Sequence, residues 1–414
     1  MNRGGPRIRL AAVAAAPVFY QAPLYRLLGA DDRVEFTAYF ASSGGVRPYD
    51  AGFGGRAVTW DVDVLAGYDS VFLARAERNN VLNGFLALRD LDLPRVLSAG
   101  KPDVVWVHGY SYLTIWLAMA AAFRKGTPVL IREEQTLLHQ RSLGKEAIRE
   151  QILRRLFQHA YGLYIGANNR EFFTHYGVPE SRLFPAPYCV DNDVLQASAK
   201  GLAKSRQALR TQLGITDPNL PLVLFVGRLG SKKQPLLLLD AFERVRAVSP
   251  CALVIVGEGD LESEMRARVA QDEIPDVHFA GFLNRTEIVR AYAAADLFVL
   301  PSGLHETWGL VVNEAMNFSL PVVVSDKVGC GRDLVSHGVN GYVFRHDDPD
   351  GLAAALKVLV QNPDLRASMG RESLKIISGW HHRVAAEGII AACQAATGRS
   401  PLHPVQESVT VTGG

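Results

Sequence analysis

The chain has 414 residues, 48% of them apolar and 21% charged, which is long for one hydrophobic core and ample for two domains. A formal charge of +2 with no long basic tract argues against nucleic acid as the main partner. Cys189, Cys251, Cys330 and Cys393 are far apart and form no CxxC pair, which speaks against a disulfide framework or a zinc site and for a reducing cytoplasm.

The basic, apolar start resembles a signal peptide, but Ile8 to Ala14 is better explained as the first buried strand of an α/β domain. Further strands are expected at Val34 to Phe40, Ser70 to Leu73, Asp103 to Val107, Pro128 to Arg132 and Gly162 to Gly166, with helical stretches between them. Such alternation predicts a parallel sheet covered by helices on both faces, with ligands bound beyond the C-terminal strand ends. Tyr112 to Phe123 is apolar but too short to cross a bilayer, and suits a buried helix.

Three loops at those strand ends hold candidates. The first offers Phe19, Tyr20, Gln21 and Tyr25 either as the lining of an acceptor pocket or as packing at the head of a helix. His108 ends the strand DVVWVHG, where an imidazole could bind an acceptor, offset phosphate charge, or simply cap and pack. The strand PVLIREEQT brings Arg132, Glu133, Glu134 and Gln135 to the mouth of the sheet. Arg132 and Glu133 could pair internally, leaving Glu134 to accept hydrogen bonds from hydroxyls or an amine of an acceptor. Lys145 to Tyr161 reads as a helix whose Arg149, Arg154 and Arg155 could rest on an anionic membrane, though a solvated face fits better.

An Ala- and Lys-rich polar stretch follows, and a linker is expected at 196–220, dividing an N-terminal domain, 1–195, from a second, 221–379. In the second half LVLFVG, ALVIVG, VHFAGF, DLFVLP, PVVVSD and GYVF read as successive strands of another doubly wound domain. GRLGSKKQP places Arg228 and Lys233 on a Gly-containing loop suited to a diphosphate, with Pro235 opening the next helix. VGEG is only a GxG turn, so a dinucleotide-binding reading is poor. Adjacent His381 and His382 cannot share one helical face as metal ligands. The tail 399–414 lacks a periodic apolar face and is expected to be disordered.

The stretch HETWGLVVNEAMN, His305 to Asn317, follows the strand ending at Leu300 and enters a helix near Gly309. Seven residues separate Glu306 from Glu314. The second lies roughly 7 to 8 Å along the helix axis from Gly309. Amides of Gly309 and Leu310 at the positive helix end would receive an anion such as a diphosphate. A carboxylate for sugar hydroxyls beside amides for phosphate suggests a nucleotide-sugar site.

This Glu-x7-Glu pattern around Gly-Leu resembles the signature of retaining glycosyltransferases of family GT4, which have the GT-B fold of two Rossmann-like domains facing across a cleft. The resemblance covers nearly the whole chain, strongest from Gly227 to Phe344. It implies transfer of a sugar from a nucleotide diphosphate, UDP favoured and GDP possible, to an acceptor hydroxyl. Glu306 would lie against the donor sugar and Glu314 would bind the ribose, with Gly227, Glu258, Phe282 and Leu283 near the nucleotide and Arg228 and Lys233 on the diphosphate. It also implies that 380–398 crosses back onto the first domain. No cofactor is implied, and no metal site is evident. The chain departs from the family at Ala14 to Ala16, where a Gly pair is usual, at Gln234 in place of a Gly, and at Glu134, where many relatives have a His. A sugar-nucleotide epimerase or phosphorylase, or a non-catalytic partner subunit of the same architecture, are the competing readings.

Overall fold

A computed structural model describes residues 6–53, 56–79, 82–138 and 143–399. The sheet of the first domain contains β1 (Ile8–Ala14), β2 (Val34–Phe40), β5 (Asp69–Phe72), β6 (Val104–His108), β7 (Val129–Arg132), β8 (Ala160–Tyr164) and β9 (Leu183–Pro185), and a separate antiparallel ribbon is made by β3 (Tyr49–Phe53) and β4 (Arg56–Val58). The second sheet contains β10 (Leu222–Val226), β11 (Ala252–Val256), β12 (Val277–Gly281), β13 (Leu297–Leu300), β14 (Val322–Ser325) and β15 (Gly341–Phe344). Every pairing within the two sheets is parallel.

Runs such as LVLFV and ALVIV are buried at every position, because helices cover both faces of the sheet and leave no polar side to alternate. Helices α1 (Ala22–Ala30), α2 (Leu93–Gly100), α3 (Leu113–Arg124), α4 (Leu143–Phe157) and α5 (Ala167–His175) connect the first sheet. After β9 come α6 (Asn192–Leu202) and α7 (Arg206–Gln212), then α8 (Pro235–Arg246), α9 (Glu262–Gln271), α10 (Arg285–Ala294), α11 (Leu310–Asn317), α12 (Gly331–Leu334), α13 (Pro349–Gln361), α14 (Pro363–Ser378) and α15 (His382–Thr397). Proline opens α8, α13 and α14, where its missing N–H is no loss.

The stretch expected as the linker, 196–220, carries regular structure. Most of it is helix, and α6 and α7 pack on α10 and α11 of the second domain. Gln196 bonds Asn317, and the buried Arg210 bonds Asp296, whose carboxylate also receives the Leu222 amide. The polar composition hid a narrow apolar stripe, of which Leu195 and Leu209 are buried. Helix α15 lies on α1 and against β8 and β9 of the first sheet. The tail 400–414 falls outside the described residues. Among the described residues no helix is long and apolar enough to cross a membrane.

Strand order fixes where a ligand can sit. The first sheet runs β5-β2-β1-β6-β7-β8-β9 and the second β12-β11-β10-β13-β14-β15, so the order reverses beside β1 and beside β10. Loops diverge beyond the strand ends at such switch points and leave a crevice. The loops after β10 and β13, 227–234 and 301–309, border the second one.

Candidate functional site

Glu306 and Lys233 come from those two diverging loops and meet as a buried ion pair, with Lys233 Nζ donating to Glu306 Oε2. Ser302 Oγ donates to the same oxygen at 2.9 Å, and Lys232 Nζ lies 3.6 Å from Oε1. Burial works to raise the Glu306 pKa, but the charges of Lys233 and then Lys232 prevail and hold it below the usual value. It is therefore an ionised acceptor with Oε1 the less occupied oxygen, while Lys233 keeps donors free for an anion.

The loop carrying Glu306 is fixed from behind. Its carbonyl accepts from the Gly329 amide at 3.1 Å, and the Trp308 carbonyl from Cys330 at 2.9 Å. His305 adopts φ +74°, a left-handed conformation unfavourable for a side-chain-bearing residue. Gly309, at φ +96°, caps α11, and a Cβ there would lie 2.9 Å from Leu300 Cδ2. Among the described residues the amides of Gly309 and Leu310 donate to no protein acceptor. They stay available for an anion at the helix start.

Glu314 lies within α11, nearly fully buried, and both its oxygens are engaged. Arg285 Nη1 donates to Oε1 at 2.7 Å and Tyr292 Oη to Oε2 at 2.7 Å. The other nucleotide-side candidates converge at neighbouring strand ends. Gly227 donates its amide to Val256 and Gly257 to Gly281, and a Cβ on Gly257 would be only 2.0 Å from the Gly227 carbonyl oxygen. Glu258 Oε1 accepts from the Phe282 amide at 3.3 Å, next to Leu283. Arg228 turns to the surface, where Nη2 is 3.0 Å from Asp260, an exposed and screened pair.

On the opposite wall, Glu134 reaches across to the second domain. Its Oε1 accepts from Tyr188 Oη at 2.5 Å and its Oε2 from Thr307 Oγ1 at 3.3 Å, next in sequence to Glu306. Tyr20 packs edge-on against Tyr188, ring centroids 5.4 Å apart. Glu133 is buried, and burial, reinforced by the Glu134 charge, raises its carboxyl to about 7. The internal Arg132–Glu133 pair is not found among the described residues. Arg132 Nη2 instead donates to the Ala186 and Pro187 carbonyls, and the guanidinium lies over the Tyr188 ring.

His108 and Gln21 are bonded to each other and to Tyr25. Gln21 Nε2 lies 3.1 Å from His108 Nδ1, His108 Nε2 lies 2.9 Å from Tyr25 Oη, and Tyr25 Oη donates to Gln21 Oε1 at 2.8 Å. This closed triangle requires the proton on Nε2, and it uses both ring nitrogens. Burial, followed by the Arg132 charge, pushes the His108 pKa well below its ordinary value. His108 is thus neutral and held by the first loop and helix α1, at the C-terminal end of its strand. His382 is similarly buried, with Nε2 2.9 Å from the Tyr20 carbonyl, and His381 and His382 act within the packing of α15.

Two aspartates cap helices of the opposite domain. Asp61 accepts the Arg285 and Thr286 amides of α10 at 3.1 and 2.9 Å, and Asp333 accepts the Ala167 amide of α5 at 3.0 Å. Tyr188, Lys232, Ser302, Arg285, Tyr292, Asp61 and Thr307 were not singled out from sequence. Only Lys232, beside Lys233, and Thr307, beside Glu306, carry any local signal. Among the described residues no cluster of three or more His, Cys, Asp and Glu could hold a metal ion.

Two family models match the chain, one described as "Glycosyl transferases group 1" over residues 206–375 and one as "Glycosyl transferase 4-like domain" over 20–189. Curated relatives include a sulfoquinovosyl transferase of Arabidopsis thaliana, 32% identical over 40% of this chain and 31% of that protein. A GDP-mannose-dependent monoacylated phosphatidylinositol monomannoside mannosyltransferase of Corynebacterium glutamicum is 34% identical over 40% of this chain and 45% of its own length. A D-inositol 3-phosphate glycosyltransferase of Geodermatophilus obscurus is 30% identical over 57% and 54%. The matches thus span about a third to a half of those relatives. Among solved structures, Anabaena HepE in complex with UDP and glucose superposes with a TM-score of 0.69 at 17% identity, covering 94% of this chain and all of that one. Sucrose-phosphate synthase from Thermosynechococcus elongatus gives 0.69 at 17% identity over 95% and 100%. At such identities the likeness is one of fold.

Proposed function

Because the chain belongs to the group 1 glycosyltransferases of GT-B architecture, we propose that it is a retaining enzyme moving a sugar from a nucleoside diphosphate to an acceptor hydroxyl. The reading rests chiefly on the buried Lys233–Glu306 pair at the β10/β13 switch point, one residue from the cross-cleft contact of Thr307 with Glu134. A carboxylate for sugar hydroxyls, an ammonium for the diphosphate and an acidic opposite wall then surround one small volume.

In this reading the bond between the anomeric carbon and the diphosphate oxygen breaks while the acceptor oxygen bonds to the same carbon on the same face. The departing diphosphate takes the acceptor proton. Its charge is met by Lys233 and by the Gly309 and Leu310 amides, which are fixed before the reaction, and by Arg228 once released from Asp260. Glu306 orients the sugar and is no covalent nucleophile, since a retaining glycosidase needs two carboxylates facing each other across the anomeric carbon. No metal is required, and the four buried free cysteines suit a cytoplasmic enzyme. UDP is the favoured nucleotide, in keeping with the UDP complex of a structural neighbour, and GDP the alternative, in keeping with the name of the Corynebacterium relative.

A panel of UDP- and GDP-sugars tested for thermal stabilisation, with the best donor then offered to acceptor mixtures, tests this. One donor should stabilise the protein, and an acceptor should gain one sugar mass with the anomeric configuration kept. Phosphorolysis, epimerised donor, or nucleotide binding without any transfer would overturn it.

A further inference from the structure

Arg285 occupies the place that the proposed function gives to ribose. Glu314 has a side chain only 3% exposed, and its Oε1 is held by the Arg285 guanidinium, itself 15% exposed and therefore on the solvent side of the pair. Its Oε2 is held from inside by Tyr292, which is buried and stacks against Phe318 at 5.5 Å. A diol approaching from the cleft meets the guanidinium before it meets the carboxylate.

The guanidinium has a second partner in the same position. Its Cζ lies 4.2 Å from the centroid of Phe19, on the first loop of the other domain, and Phe19 in turn contacts Trp60 at 4.8 Å. Its backbone amide is fixed by Asp61, one residue beyond Trp60. Arg285 can leave Glu314 and keep a cation–π contact and an anchored backbone, so its withdrawal costs less than freeing a side chain with one partner. Tyr292 has no such alternative.

We propose that Arg285 guards the ribose subsite: it neutralises Glu314 while the pocket is empty, and the vicinal ribose diol of the nucleotide displaces it from Oε1. The proposal rests on the assignment of Glu314 to ribose. It makes Arg285 a competitor for Glu314 that two hydroxyls can displace and one cannot, since one hydroxyl is a poor replacement for a charged, hydrogen-bonded pair, and the displacement cost blunts the discrimination that a bare Glu314 would show. A nucleotide lacking the 2′-hydroxyl then binds without engaging Glu314 at all.

The test is the ratio of dissociation constants for 2′-deoxy-UDP and UDP, measured calorimetrically, or for the guanine pair should GDP bind more tightly. Both ligands of a pair carry equal charge, so the loss of a cation cancels in the ratio. In Arg285→Met the bare Glu314 becomes free to discriminate, and the ratio should rise by several-fold over wild type, whereas Arg285→Lys, which can still pair, should keep the wild-type ratio. An unchanged or smaller ratio in Arg285→Met would show that Arg285 does not block the diol, or itself binds it, and would overturn the proposal. Glu314→Ala should bring the ratio close to one; a wild-type ratio in that variant would instead remove the ribose assignment. Arg285→Leu and Glu314→Leu, which likewise neither donate nor accept, serve in the same way where the first variants do not fold.

Discussion

Lys233 and Glu306 lie 73 residues apart and form a buried ion pair, their side chains 15% and 6% exposed. The pair joins the two loops that diverge at the switch point of the second sheet, so one contact both shapes the site and fills it with opposite charges. Replacing Lys233 by Ala should cost about 2 to 4 kcal/mol of transition-state stabilisation, roughly 30- to 1000-fold in kcat/KM. It should also lower stability by about 3 kcal/mol, because Glu306 is left buried beside only the more distant Lys232. Arg228→Ala should lose activity on the same scale with an unchanged Tm, its Asp260 pair being exposed and worth little. Equal Tm changes in the two variants, or wild-type turnover in Lys233→Ala, would contradict these roles.

The two glutamates of α11 and its preceding loop should separate kinetically. Glu306→Ala removes the carboxylate beside the sugar and should chiefly lower kcat, whereas Glu314→Ala should weaken binding of free nucleoside diphosphate. Steady-state kinetics with the best donor, together with calorimetry of the diphosphate, distinguish them. The reverse pattern would exchange the two assignments.

Gln234 ends the loop after β10, and its backbone is left-handed at φ +47°. Its Oε1 is buried without a hydrogen-bond partner, and the side chain lies against Gly303. Gln234→Gly removes both the left-handed penalty and the unsatisfied oxygen. A gain of about 1 kcal/mol is expected, visible as a Tm rise of about 2 °C. A fall in Tm would mean that the carboxamide is bonded and stabilising.

Much of the architecture is readable from the order of residues because it depends on local pattern. Continuous β-branched runs such as Val322 to Val324 read as strands buried on both faces, and Glu306 and Gly309 lead into the helix that carries Glu314. What could not be read depends on distant meetings. His108 ends its strand in the position of a cleft ligand, yet Gln21 and Tyr25, some 85 residues earlier, close over it. Tyr188 sits in an unremarkable Pro-rich segment and gains its place only when β7 and the Thr307 loop bring Glu134 to it. Arg285 and Asp61 face each other across two domains, and no periodicity links them.

Charge on the departing diphosphate is assigned to side chains and amides of the chain itself. Initial rates should therefore be unchanged after exhaustive treatment with EDTA, and added Mg²⁺ or Mn²⁺ should not raise them. A chelator-sensitive rate restored by either ion would return part of that role to a metal.

Glu133 gives stability a distinct pH dependence. Its carboxyl, at an ordinary value of 4.5 when exposed, is raised to about 7 by burial and then by the neighbouring Glu134 charge. The native state therefore holds this proton more tightly than the unfolded chain. At low pH both states are protonated and the group has no effect. Between about 4.5 and 7 the unfolded chain ionises first and native stability falls as pH rises; above about 7 the penalty is complete, roughly 3 kcal/mol. Glu133→Gln cannot ionise, so its stability should match wild type near pH 4 and exceed it near pH 8, by up to about 3 kcal/mol. The raised Asp333 carboxyl is present in both proteins and cancels in the comparison. Melting curves of the two proteins at both pH values are the measurement, and a variant less stable than wild type near pH 8 would mean that Glu133 is ionised and paired in the native protein.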